Sequence, residues 1–186
     1  MKFQPAVDFT AQGINIRTLM TMFRDFEEVP VTVEKVVPMV VFMAFSIESY
    51  LNSIGSRRVK IWDEIERVPW KSKVDILHRN AGVTAVWGDR HLQFAREIFK
   101  LRDNLAHGKP EEVLGPMVDC NEQAIAILES ADFGPAWYSA LNKDWVMKAK
   151  SDFTNLMQKL AALYELGDSD HLCAAVGRVI TVDHGH

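Results

Sequence analysis

"VVPMVVFMAFSIESYLNSIG", residues 36–55, decides the fold class. Val37, Val41, Ala44, Phe45 and Leu51 recur there in steps that bring them to one side of a helix, not to alternate faces of a strand. The spacing predicts a long helix over residues 31–54. Pro38 lies in its first two turns, as a kink or as the true start, and Gly55 is expected to stop it. The most apolar part, residues 36–47, is bounded by Lys35 and Glu48. It falls short of the roughly 20 residues that cross a bilayer, so it reads as a buried central helix.

The same period extends outward. Residues 10–27 form a first helix ending before Pro30. "IWDEIERV" (61–68) is a short helix ended by Pro69, and "WKSKVDILHRN" (70–80) another ended by Gly82. A turn at "WGDR" makes Asp89 the N-cap of a helix running to about Ala106, where Gly108 and Pro110 terminate it. "NEQAIAILES" (121–130) is capped by Asp119 or Asn121. A final long helix covers about Pro135 to Leu166, with Trp145, Ala149, Phe153, Leu156, Leu160 and Leu163 in one stripe. The tail is expected to add one short helix. Together these give an all-α antiparallel helical bundle. It is expected to be one domain over residues 1–186, with its core in about 31–165 and peripheral helices in 1–30 and 168–186. An α-solenoid is the alternative, but no repeat supports it.

The composition fits a soluble globular chain: 186 residues, 48% hydrophobic and 25% charged. Two distant cysteines, Cys120 and Cys173, make no disulfide framework and suggest a reducing compartment. The first twenty residues lack a secretory signal, so a cytoplasmic location is expected, with no membrane partner. Residues 54–110 carry 12 Lys/Arg against 7 Asp/Glu, while the rest carries 9 against 18. A basic middle in an acidic chain suits an anionic ligand such as RNA, although a solvated surface of mixed charge is the commoner cause.

Two helices aim polar groups at their apolar faces. On a wheel of about 100° per residue, Arg102 falls within about 10° of the centre of the face made by Ile98 with Phe94, Leu101 and Leu105 on one side and Leu92, Ala95, Phe99 and Ala106 on the other, and His91 points the same way. Glu48 and Asn52 share the face of Val37, Val41 and Leu51. Because a buried charge needs a partner, Arg102 and Glu48 are expected to meet, directly or through Asn52, or to line a cleft or subunit interface together. Lys73 competes for Glu48. An internal salt bridge fixing helix register would account for the pair without any site. His107 lies five residues after Arg102, about 140° round and about 7.5 Å along the axis. A histidine at a helix end can simply cap carbonyls and favour the helix dipole.

The arrangement Arg102-Asp-Asn-Leu-Ala-His107 resembles the R-x4-H motif of the HEPN superfamily, helical domains of many prokaryotic RNases and toxin or defence proteins. Its position at a helix end before "GKP", and the upstream long helix carrying "SIESYLN", extend the resemblance over about residues 31–165. The family pattern often has a polar residue, commonly Asn, directly after the arginine. Here Asp103 stands there, with Asn104 next. Some toxin members carry a modified tyrosine two residues after the histidine, where this chain has Lys109.

The resemblance implies metal-independent cleavage of RNA to 2′,3′-cyclic phosphate ends. His107 would serve as general base or acid, histidine being the side chain that titrates near neutrality. Arg102 would hold the scissile phosphate. Glu48, Asn52, Asp103 and Asn104 would support them, and Lys100, Lys109 and Arg96 would contact RNA. It also implies a homodimer with facing motifs, a toxin or antiphage role, and an antitoxin or other protein partner. No cofactor and no metal is expected: His171, Cys173, His184 and His186 lie in the tail without the spacing of a metal site. Tryptophans are more often packing residues than base-stacking platforms; Trp70 and Trp87, in the basic middle, are the ones to follow. A HEPN-like scaffold or interaction module without catalysis is the alternative reading.

Overall fold

The computed structural model describes residues 2–27, 32–130 and 133–182. The chain is mostly helical. In order it comprises β1 (Lys2–Phe9), α1 (Ala11–Glu27), α2 (Val33–Arg58), α3 (Trp62–Ile65), α4 (Trp70–Asn80), α5 (Arg90–His107), α6 (Asn121–Leu128), α7 (Ala136–Ser139), α8 (Lys143–Ala162), a 3₁₀ turn (Asp170–Leu172) and β2 (Ala175–Val182).

α2 is the central element, in contact with α1, α3, α4, α5 and α8. Val36, Met39, Val40, Met43, Ile47, Tyr50, Leu51 and Ile54 are all buried along it. Its length and hydropathy would suit a membrane span, but 56% of its most apolar window is buried within the fold. Pro38 sits inside the helix, which begins at Val33 and reaches Arg58. Gly55 therefore does not stop α2. It is a buried position over which the ring of Trp62 lies so close that an added Cβ would come within 2.1 Å of the indole.

α5 and α8 run antiparallel: Arg90 pairs with Asp152, while Glu97, further along α5, accepts from the indole of the earlier Trp145 at 2.8 Å. Ala149, Phe153, Leu156 and Leu160 are buried as the stripe requires. α8 starts later than expected, because Asn142 caps it: its side-chain oxygen accepts from the Trp145 backbone N–H at 3.0 Å. The preceding residues form the separate α7. Cys120, rather than Asp119 or Asn121, occupies the N-cap of α6. Asp89 holds the N-cap of α5, without a side-chain capping bond.

Both ends of the chain differ from expectation. α1 belongs to the core and is not peripheral, since Ile16, Leu19, Phe23 and Phe26 are buried. In place of further terminal helices, β1 and β2 pair antiparallel over eight positions, from Lys2 opposite Val182 to Phe9 opposite Ala175. Phe3, Val7, Phe9 and Val179 on this ribbon are exposed. The 3₁₀ turn ahead of β2 is the one short helix of the tail, and His171 within it is buried.

Candidate functional site

α5 carries the candidate residues because its face must bury Phe94, Ile98, Phe99 and Leu101 against α2 and α8. Arg102 follows on that face and is half-buried, with 29% of its side chain exposed. Its guanidinium carbon lies 5.4 Å from the Phe99 ring centre. Nη1 reaches Asp103 at 3.3 Å, and the buried Nε has no hydrogen-bond partner among the described residues.

The expected meeting of Arg102 with Glu48 does not occur. Glu48 instead accepts from Lys73 Nζ at 3.1 Å, the competing pairing. The lysine is the buried member, 3% exposed against 40% for Glu48. α4 packs against α2 and delivers Lys73 to this carboxylate. Asn52, one turn further along α2, keeps a buried Oδ1 without a partner among the described residues. His91 is half-buried, and desolvation lowers its pKa.

His107 is the last residue of α5 and is exposed. Gly108 follows at close quarters, since a Cβ there would meet the Asn104 carbonyl oxygen at 2.5 Å. A cleft of about 460 Å³ opens beside it, lined by Asp103, Asn104, His107, Lys109, Glu111 and Trp137. Trp137 and Glu111 were not singled out in the sequence: they enter through a bond across 26 residues, the indole N–H donating to the Glu111 carboxylate at 3.1 Å. Lys100 and Arg96 are exposed on α5; Lys100 lines an adjoining groove. The structure thus gathers His107, Asp103, Asn104 and Lys109 at one cleft. Arg102 does not line it. Glu48 and Asn52 belong to the α2 side.

Trp70 and Trp87 are engaged in packing. Trp70 stacks on Phe99 with ring centres 4.2 Å apart, and the Trp87 indole donates to Asp75 at 3.0 Å.

A second polar cluster joins the tail to α2. Arg57 donates from both terminal nitrogens to Asp170, at 3.0 and 2.7 Å, and the Tyr50 hydroxyl donates to the same carboxylate at 3.0 Å. The Arg57 bonds hold the Asp170 pKa below its ordinary value, while burial pushes the Tyr50 phenol up. A cavity of about 570 Å³ between the ribbon and the end of α2 borders this cluster. Among the described residues no three His, Cys, Asp or Glu side chains gather as a metal site would require. His184 and His186 lie outside the described residues. No family model, curated protein or solved structure gives a significant match to this chain.

Proposed function

We propose that the chain is a HEPN-like, metal-independent endoribonuclease acting as a homodimer in which two Arg102–His107 motifs share a cleft. The observation that carries this reading is the state of Arg102. With Glu48 taken by Lys73, no buried ion pair accounts for the guanidinium, and its Nε is buried without a partner among the described residues. A planar cation held so calls for an anionic acceptor, and phosphate oxygens fit its fork. His107 stands exposed at the same helix end.

In the reaction a ribose 2′-oxygen attacks the adjoining phosphorus as an imidazole takes its proton. The bond from phosphorus to the 5′-oxygen breaks, and that oxygen takes a proton from the partner's imidazole or from water. The products are a 2′,3′-cyclic phosphate and a 5′-hydroxyl. Arg102 steadies the charge on the non-bridging oxygens. Lys109 and Arg96 extend a cationic track for the backbone.

One observation favours a non-catalytic interaction module instead: Asp103 holds Arg102 Nη1, and Glu111 adds a second carboxylate to the cleft. The two readings part on incubation of purified wild type, Arg102→Ala and His107→Ala with mixed RNA in EDTA. We expect the wild type to cleave, leaving cyclic phosphate ends, and each variant to be slower by at least about 100-fold. Equal cleavage by all three would sink the mechanism, and no cleavage by any would favour the module.

A further inference from the structure

α6 contradicts the logic of the rest of the fold. Its sequence, "NEQAIAIL", is apolar, yet none of its residues is buried, and it makes no more than marginal contact with any other helix or strand. Leu114 is 83% exposed, Leu128 66% and Ile125 43%. Apolar side chains clustered in this way mark an interaction surface. The segment is also strongly acidic: residues 111–130 contain Glu111, Glu112, Asp119, Glu122 and Glu129, with no lysine or arginine. Ile125 and Leu128 share a helical face with Glu122 and Glu129, at steps of three and four.

A complementary surface lies on α5 and α8. A groove of about 210 Å³, lined by Glu97, Lys100, Asn104, Trp137, Leu141 and Trp145, is apolar within and carries one lysine and one carboxylate, the latter bound by the Trp145 indole. Lys148 lines the neighbouring depression that shares Glu97 and Trp145. Asn104 belongs both to this groove and to the His107 cleft.

We infer that residues 112–130 form an exchange arm that docks α6 of one copy into the α5–α8 groove of a second copy, with Ile125 and Leu128 entering the groove and Glu122 and Glu129 meeting Lys100 and Lys148. Beyond the Glu111–Trp137 bond, residues 112–120 contain no helix or strand. At about 3.3 Å per residue they can span about 30 Å, and the return from Leu128 to Pro135 about 23 Å, so exchange requires the two grooves to face each other closely across the two-fold axis. Reciprocal exchange brings the two α5 ends, and hence the two motifs, to the same axis. This consequence for cleavage rests on the proposed ribonuclease reading; the assembly does not.

The test is sedimentation and light scattering on the full chain at micromolar concentration. We expect the wild type to be a dimer. Ile125→Glu with Leu128→Glu should weaken association by at least about 100-fold, since two anchors of this size leave the interface. The helical content should not change, because neither side chain is buried in the single copy, while the melting midpoint should lose the concentration dependence that association gives the wild type. Lys100→Glu should weaken the dimer, and Glu122→Lys in that background should restore it. A monomeric wild type overturns the inference, as does a dimer that survives the α6 substitutions. So does one that is lost instead on Val179→Glu in the ribbon, or a charge swap that fails to rescue. A dimer that behaves as expected but leaves RNA intact would retain the arm and remove the ribonuclease reading.

Discussion

At the scale of the residue, Lys73 and Glu48 form an asymmetrical charge pair. The ammonium is almost wholly enclosed, while the carboxylate keeps contact with water. Removing the carboxylate therefore leaves a buried donor unsatisfied, whereas removing the lysine releases a carboxylate that solvent can hold. We expect Glu48→Ala to cost about 1–3 kcal/mol, the range for stranding a buried polar group. Lys73→Met, which keeps most of the volume, should stay within about 1 kcal/mol of wild type. Urea unfolding of the two variants checks the order; a larger loss for Lys73→Met would show that the lysine is not the dependent partner. The pair also shows what a helical wheel can deliver. It placed Arg102 on the packed side of α5, but it misplaced the apolar face of α2: Phe45 is 49% exposed and Val37 and Val41 are only half-buried, so Glu48 stands on a flank of the helix. A wheel also knows nothing of the helix opposite. The partner of Glu48 was decided by α4, which brings Lys73 to it.

At the scale of the element, Gly55 shows why helix boundaries read from single letters fail. Glycine after an apolar run commonly ends a helix, yet here it lies within α2 because Trp62 packs where a side chain would stand. Gly55→Ala gains about 1 kcal/mol of helix propensity but forces the indole aside, at a cost of about 1–3 kcal/mol for overpacking. The net effect should be a lower thermal midpoint. Combining Gly55→Ala with Trp62→Leu should cost less than the sum of the two changes, and strict additivity in that double-mutant cycle would mean that the contact does not matter. The long elements were legible because burial imposes a 3.6-residue period: α2, α4, α5 and the α8 stripe all carry it. The ribbon was not, because it has no buried face to write an alternation into "KFQPAVDF", and its partner strand lies at the far end of the chain. Asp170 was equally hidden, being an ordinary acidic residue until the fold brings it to Arg57 and Tyr50.

At the scale of the whole molecule, that last cluster ties the end of the chain to its centre. The Asp170 carboxylate receives Tyr50 and Arg57 from α2, and Gln12 of α1 donates to the backbone carbonyl of the same residue at 3.4 Å. One residue on, His171 packs edge-on to Tyr50, with ring centres 6.1 Å apart. Hydrogen bonding from Arg57, the largest influence, lowers the Asp170 pKa below the ordinary 3.8. The unfolded chain therefore binds the proton more readily than the folded one. The stabilisation is fully present above the unfolded value near 3.8 and is lost as pH falls through the lower folded value. Desolvation lowers the His171 pKa from 6.5, so folding keeps a neutral imidazole. That contribution is complete above pH 6.5 and declines as pH falls below it. Two limbs should thus appear in stability against pH, and they separate by substitution. Asp170→Asn should be clearly less stable than wild type in urea at pH 6, and the gap should begin to close as the pH drops below about 4, where the unfolded wild-type chain takes up the proton, and vanish only below the lower folded value. Between pH 7 and 5 both proteins should lose stability through His171 and the likewise lowered His91, the Asn variant more steeply, because the Asp170 charge that raises the His171 pKa is gone. A gap that stays constant down to pH 3 would mean that the Asp170 charge does not hold the tail to α2.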